Sequence, residues 1–152
     1  MTDRILKHTI RRARHSDMSG MIRLLGILFS IETDFVVDEG TQQRGLEMML
    51  ADSTNRCIMV AELGEQIVGM CSAQILVSTA EGGIVALVED LVVEEAWRGK
   101  GLGKELLLSV ESWAVTRGVT RLQLLADRNN TLALEFYERM NWKVTRMIGL
   151  RR

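Results

Sequence analysis

Proline is absent from the 152 residues, so no turn or helix stop can be assigned to a locked φ, and glycine, asparagine and aspartate are the only strong punctuation. Histidine occurs only at His8 and His15, cysteine only at Cys57 and Cys71. Neither cysteine has histidine or another thiol at ligand spacing, which argues against a zinc site or a Cys–His nucleophile, and no metal is expected. Both fall on runs that read as neighbouring strands, where reduced core thiols are expected rather than a disulfide. A dominant charge is lacking as well. With 19 Lys and Arg against 20 Asp and Glu, the formal net charge of -1 gives no broad field for nucleic acid or a membrane surface. No stretch approaches the roughly 18 apolar residues of a membrane span. The N-terminal MTDRILKHTIRRAR lacks the apolar core of a signal peptide. A cytoplasmic protein with neither nucleic acid nor membrane as partner is expected. No repeat, linker or low-complexity segment occurs, and 47% hydrophobic with 26% charged residues is the balance of a soluble globular chain. A single domain over 1–152 with one sizeable core follows from the length.

The chain is organised around residues 84–113. Val85 to Val93 are aliphatic and β-branched, the composition of a strand buried on both faces, and the acidic pair Glu89 and Asp90 interrupts them. The strand runs into Arg98-Gly99-Lys100-Gly101-Leu102-Gly103, whose alternate glycines free the backbone for close approach to a ligand. Leu102, Leu106, Leu107, Val110, Trp113 and Ala114 then recur at helical spacing. The glycines therefore stand at a helix N-terminus, where outward N–H groups and the positive dipole end attract anions. Two familiar phosphate motifs fail here. A P-loop needs a glycine at position 98 and a hydroxyl at 105, where Arg98 and Glu105 stand, and the dinucleotide fingerprint needs a glycine where Lys104 stands.

What fits is R-x-x-G-x-G after a strand ending L-x-V, followed later by Asn130-Thr131-Leu132-Ala133-Leu134-Glu135-Phe136-Tyr137-Glu138-Arg139-Met140-Asn141-Trp142. These two stretches resemble the acetyl-coenzyme A signature and the N-x-x-A-x-x-F-Y-x-x-x-G-F signature of the GCN5-related N-acetyltransferase (GNAT) family. Asn141 and Trp142 replace the final glycine and phenylalanine, a mild departure, because asparagine tolerates the left-handed conformation that ends a helix. The resemblance is carried from residue 84 onward; residues 1–83 agree in element order only.

That order begins with a strand over Lys7 to Arg14. Ser16 reads as the N-cap of a helix carrying Met18, Met21, Ile22, Leu25, Leu28 and Phe29. An acidic stretch with Glu32, Asp34, Asp38 and Glu39 breaks the pattern before a second helix at 42–51; these acids either face the acceptor or are simply solvated. Strands at 56–63 and 66–78 flank the Gly64–Glu65 turn, and with the central strand they should form an antiparallel meander. A helix to about Thr116, a strand at 119–126, the helix of the second motif and a closing strand at 142–150 complete the order β-α-α-β-β-β-α-β-α-β. This is the α+β, mainly antiparallel mixed sheet that the resemblance implies.

The resemblance also implies acetyl-CoA as co-substrate and assigns roles. Gly99, Lys100, Gly101, Leu102, Gly103 and Lys104 would offer amides to the pyrophosphate, with Arg98 opening the motif or capping the loop. Leu91, Val92 and Val93 would offer main-chain groups to the pantetheine arm, the Val93 amide being the oxyanion partner. Asn130 matches the asparagine that reaches the pantetheine, and serves equally as an N-cap. Tyr137, the only tyrosine, matches the acid that protonates the departing thiolate; otherwise it is a core aromatic. By alternation Glu89 shares a face with Leu87, Leu91 and Val93, and the Glu89-Asp90 pair resembles that of small-molecule acetyltransferases in which the glutamate meets the acceptor amine. Glu89 would hold the ammonium and accept its proton, with burial raising its pKa, or would instead pair with an arginine. The expected activity is acetyl transfer to a small cationic amine by direct attack in a ternary complex. An acetyltransferase for an amino acid or peptide amine, and a non-catalytic acyl-CoA sensor, are the alternatives. Met147, Ile148 and Leu150 on a C-terminal edge strand point to a homodimer.

Overall fold

Period-two apolar runs build the sheet in this computed structural model, which describes residues 7–152; residues 1–6, part of the stretch read for a signal, lie outside the described residues. Strands β1 (His8–Arg12), β2 (Arg56–Leu63), β3 (Gln66–Ser78) and β4 (Gly83–Val93) pair antiparallel in chain order, and β5 (Leu122–Leu124) joins β4 in parallel. Gly64, at φ 62°, supplies the left-handed residue of the β2–β3 turn.

Alternation divides the strand side chains between two cores. Ile58, Val60, Ile67, Met70 and Val92 meet Met21, Leu24 and Leu25 of α1 (Met18–Ile31) and Leu46 of α2 (Glu39–Leu50). On the other face Ala61, Val68, Cys71, Ala73, Ala86 and Val88 meet Leu106, Leu107, Val110 and Trp113 of α3 (Leu102–Thr116), with Phe136, Tyr137 and Met140 of α4 (Thr131–Arg139) packed alongside. Gly69 lets α3 lie close to the sheet, since a Cβ there would stand 2.9 Å from Leu106 Cδ1 and 3.3 Å from the Val92 carbonyl oxygen. The mixed α+β architecture is the expected one, and Asn141 ends α4 at φ 66°, the left-handed conformation its type predicts.

Three local expectations change. Ser16 does not cap α1: a 3-10 turn, His15–Asp17, precedes the helix, and Asp17 takes the cap position. Its carboxylate accepts the Arg14 N–H at 2.8 Å and two Arg11 guanidinium N–H groups at 2.8 and 2.9 Å. Strand β5 is shorter than 119–126, because its ladder with β4 ends at Val88–Leu124. Residues 142–150 form no strand. With β5 only Leu122–Leu124 long, little edge is left for a further strand, and the segment crosses towards the α1–α2 loop instead. There Arg151 Nη1 donates to the Asp34 carbonyl at 2.9 Å, and its guanidinium stands 4.9 Å from the Phe35 ring centroid. The homodimer expected through a C-terminal edge strand has no such strand to use.

Candidate active site

The parallel partner of β4 ends at Val88, so from Glu89 onward its outer backbone edge has no strand partner. A bulge marks the point. Met70 pairs with Val92 but Ser72 pairs with Glu89, which leaves one extra residue on β4, and Asp90 absorbs it at φ 53°. Beyond the bulge the Glu94 N–H donates to Val68 O at 2.8 Å, so by alternation Val93 directs its backbone to the open side. Its carbonyl accepts from Arg98 Nε at 2.8 Å, so Arg98 braces the turn against the strand end; the Val93 N–H points the same way as the carbonyl. Val92 directs its backbone to β3 and its side chain to the α1–α2 core. Of the three residues expected to offer main-chain groups to the pantetheine arm, Leu91 and Val93 turn theirs to the open side by alternation and Val92 does not.

The glycine turn follows at once. Gly99 (φ 75°) and Gly101 (φ 84°) occupy left-handed conformations, and a Cβ on either would meet nothing within 4 Å. No side chain caps α3; the first-turn N–H to find a partner is that of Glu105, on Gly101 O at 3.1 Å, so the amides of Leu102, Gly103 and Lys104 point outward. Gly103 packs near Phe136 of α4 and Val93 of β4, while the Leu102 side chain is buried core. Lys104 is exposed, and Lys100 folds its ammonium over Trp97, 4.7 Å from the ring centroid. Unfilled space, orphan amides, a helix dipole and nearby cations form a cradle that fits a pyrophosphate. Asn130 is observed as the N-cap of α4: its Oδ1 accepts the Ala133 N–H at 3.1 Å, leaving its amide NH2 for another partner.

The acidic residues fall differently from expectation. The bulge reverses the alternation, so Glu89 does not share a face with Leu91 and Val93, which pack on the α3 side. Glu89 is exposed and makes no ion pair with an arginine among the described residues, so it has neither the burial asked of it nor the alternative partner. Asp90 is the enclosed one. Burial, then the charges of Glu89 and Glu32, push its carboxyl up to about 6, against a smaller opposing effect of the Ser72 hydroxyl. Ser72 Oγ itself donates to the Glu89 carbonyl at 3.1 Å. Glu32 is raised too, by burial first and then by Asp127, Asp34 and Glu89. Glu32 therefore lies within electrostatic reach of Glu89 and Asp90 at the bulge, and of Asp34 and Asp127. Of the four upstream acids, Glu32 and its neighbour Asp34 lie on this side, whereas Asp38 stands at the N-cap position of α2 and accepts from the Thr41 hydroxyl, and Glu39 is in the first turn of that helix. The sequence does not mark Asp90 or Asp127 as an acceptor group: strict alternation hides Asp90, and nothing in the spacing marks Asp127.

Tyr137 is half-buried against Phe136 and Trp142, with centroids at 5.3 and 6.1 Å. Burial, then the nearby Cys71 and Glu32, push its hydroxyl up to about 12, so it holds its proton at neutral pH. Burial also pushes the Cys57 thiol up to about 11 and raises that of Cys71; both are free and neither is a ready thiolate.

Comparison with known proteins agrees with this geometry. Residues 27–142 match the model of the acetyltransferase (GNAT) family. The chain is 29% identical over 150 residues to the glucosamine 6-phosphate N-acetyltransferase of Trypanosoma brucei brucei, covering 94% of this chain and 93% of that one. It is 37% identical over 68 residues to an L-ornithine N5-acetyltransferase of Arabidopsis thaliana, covering 41% of this chain but only 30% of that protein. An aminoglycoside N-acetyltransferase solved with CoA shares the fold, with a TM-score of 0.86 at 17% identity over 100% of this chain and 98% of that one.

Proposed function

The chain belongs to the GNAT family of acetyltransferases, and from that premise we propose that it transfers acetyl from acetyl-CoA to a small cationic primary amine. The observation that carries the acceptor class is the acidic group at the β4 bulge: Glu89 and Asp90 with Glu32, which in turn neighbours Asp34 and Asp127. Carboxylates in that number attract an ammonium and repel a phosphate. The acceptor therefore differs in charge from that of the relative named for glucosamine 6-phosphate, and is nearer in kind to the side-chain amine of ornithine.

Acetyl-CoA would supply the acetyl group activated as a thioester. The amides of 99–104 would hold its pyrophosphate, and Leu91, Val93 and the Asn130 amide its arm. Glu89, exposed at the mouth, anchors the incoming ammonium. Asp90 takes the proton that the amine must lose, since a carboxylate near 6 is ionised at neutral pH yet basic enough to accept it. The Val93 N–H faces the negative charge that develops on the carbonyl oxygen as the C–N bond forms. Tyr137 gives its hydroxyl proton to the thiolate as the C–S bond breaks. With both thiols buried and protonated, attack is direct and no acyl-enzyme forms.

Two further parts belong to this reading. Free thiols such as Cys57 and Cys71 suit the reducing cytoplasm, where we place the protein. We also propose a homodimer, through the apolar side chains of the irregular C-terminal segment. The deciding experiment for the chemistry is an acceptor screen with labelled acetyl-CoA over amines, amino acids, aminoglycosides and glucosamine 6-phosphate. Turnover confined to unphosphorylated amines, with no label left on cysteine after denaturation, is expected. Preference for the phosphorylated sugar, or an acetyl-cysteine, would refute it.

A further inference from the structure

A cavity of about 360 Å³ lies on the α1–α2 side of the sheet and reaches the bulge, with Glu89 and Asp90 at one end. Its floor is two neighbouring rows: Arg56 of β2 and Gln74 of β3 in one, and Ile58 of β2, Ser72 of β3 and Glu89 of β4 in the next. Two strand spacings make the second row about 9.5 Å wide. The two ends differ in charge: Arg56 Nη1 donates to the Met48 carbonyl at 2.9 Å, which fixes a guanidinium at the end away from the carboxylates. The walls between carry Phe29 of α1 and Met48 and Met49 of α2, with Thr41 and Gln42 of α2 as the polar exceptions. Met48 is 64% exposed, a large apolar side chain left in the opening.

Gly45 is the telling residue. Glycine inside a helix costs roughly 0.5–1 kcal/mol relative to alanine, so its place in the middle of α2 calls for a reason. No close packing supplies one, because a Cβ there would meet nothing within 4 Å, and the position lines the cavity. The absent side chain keeps the space open.

We infer that this cavity receives the body of the acceptor, and that the acceptor is a primary amine carried on an uncharged apolar chain or ring, with no second cation at its far end. The inference rests on the proposed acetyl transfer and specifies its substrate class. The amine meets Glu89 and Asp90, the body replaces water along Phe29, Met48 and Met49, and a second ammonium would be driven towards the Arg56 guanidinium. The acids outside the cavity concentrate amines in general; the cavity selects among them.

The test is steady-state acetylation of ethylamine, butylamine and hexylamine beside diaminobutane and diaminohexane. Each added CH2 should raise kcat/KM roughly threefold to fourfold, from about 0.8 kcal/mol per buried methylene, and hexylamine should exceed diaminohexane by about tenfold or more. Gly45→Leu should flatten the series by filling the cavity, with an unchanged or higher melting temperature because leucine is the better helix former. A flat wild-type series, or diamines used as well as monoamines, overturns the inference while leaving the amine acetyltransferase intact. Acetylation of no amine by a protein that binds acetyl-CoA in calorimetry overturns both. The wild-type series decides the matter even if Gly45→Leu misfolds.

Discussion

At the scale of single residues the site turns on one position, Asp90, whose left-handed backbone changes what its neighbours face. A period-two reading puts Glu89 beside Leu91 and Val93 and makes it the buried base; one inserted residue undoes that, exposing Glu89 and enclosing Asp90. The acidic pair itself was legible in the apolar run, but which member is the less exposed was not, because a bulge depends on cross-strand register. Asp90→Asn separates the consequences, since asparagine has the same shape and also tolerates the left-handed region. The folded pKa of Asp90 lies above its ordinary 3.8, at about 6. Its contribution to stability is therefore fully present below about 3.8 and lost as pH rises through 6, so at pH 7.5 the ionised carboxylate is a burden on the fold. Asp90→Asn should then be more stable by roughly 1–3 kcal/mol at pH 7.5, and about 100-fold slower. Wild-type kcat/KM should fall as pH drops through 6, and the variant should lose that limb. Thermal melts with a pH–rate profile check both, and an equally active variant would return the proton to Glu89. Tyr137→Phe should lower kcat by about 100-fold with donor affinity kept, as for a group used only in the transition state. Unchanged turnover would leave Tyr137 as packing between Phe136 and Trp142.

Among the elements, the β4–turn–α3 unit was the most legible, because each part has its own local signature. An apolar strand, glycines where φ is positive and a helical repeat require no knowledge of the rest of the chain, and Leu102–Thr116 is the helix that results. The uncapped amides and open space at Gly99 and Gly101 are what the anion reading needs. Two substitutions at Gly101 separate backbone from charge. Gly101→Ala forces a side chain into φ 84° at a cost of about 1–2 kcal/mol but fills nothing, so CoA affinity should fall only modestly. Gly101→Glu carries the same strain and adds a negative charge beside the amides, and should lower CoA affinity by about 100-fold or more. Calorimetry on both, with folding verified by melting, checks this; equal affinities would remove the pyrophosphate from this turn. Elements without local signatures were read less well. Strand β5 shrank to Leu122–Leu124 because its length is set by how far β4 stays straight, a property of another strand.

For the whole molecule, the sheet order followed from hairpin turns and the β4–α3–β5 crossover, whereas the path of the C-terminal segment did not. A run such as Met147-Ile148-Gly149-Leu150 has strand composition, but a strand requires an edge, and β5 offers only a short one. The segment instead passes beside Leu125 at Gly149 and ties Arg151 to the α1–α2 loop, leaving Val144, Met147, Ile148 and Leu150 between 68% and 91% exposed and Leu125 at 73%. Apolar side chains left so exposed are costly to keep in water, and in a homo-oligomer a two-fold axis covers such a surface with its own copy. The proposed homodimer therefore rests on different ground, in which side-chain burial rather than backbone pairing would hold the two chains. Arg146, Arg151 and Arg152 oppose it, being like charges brought together across the axis. If burial prevails, sedimentation at micromolar concentration should give twice 17.1 kDa, and added salt should tighten the dimer by screening the arginines. Ile148→Lys should then weaken association by about tenfold or more, since a buried isoleucine contributes roughly 1.5–3 kcal/mol and the lysine adds repulsion. A monomer of 17.1 kDa would remove the interface, and a dimer indifferent to Ile148→Lys would place it on another surface.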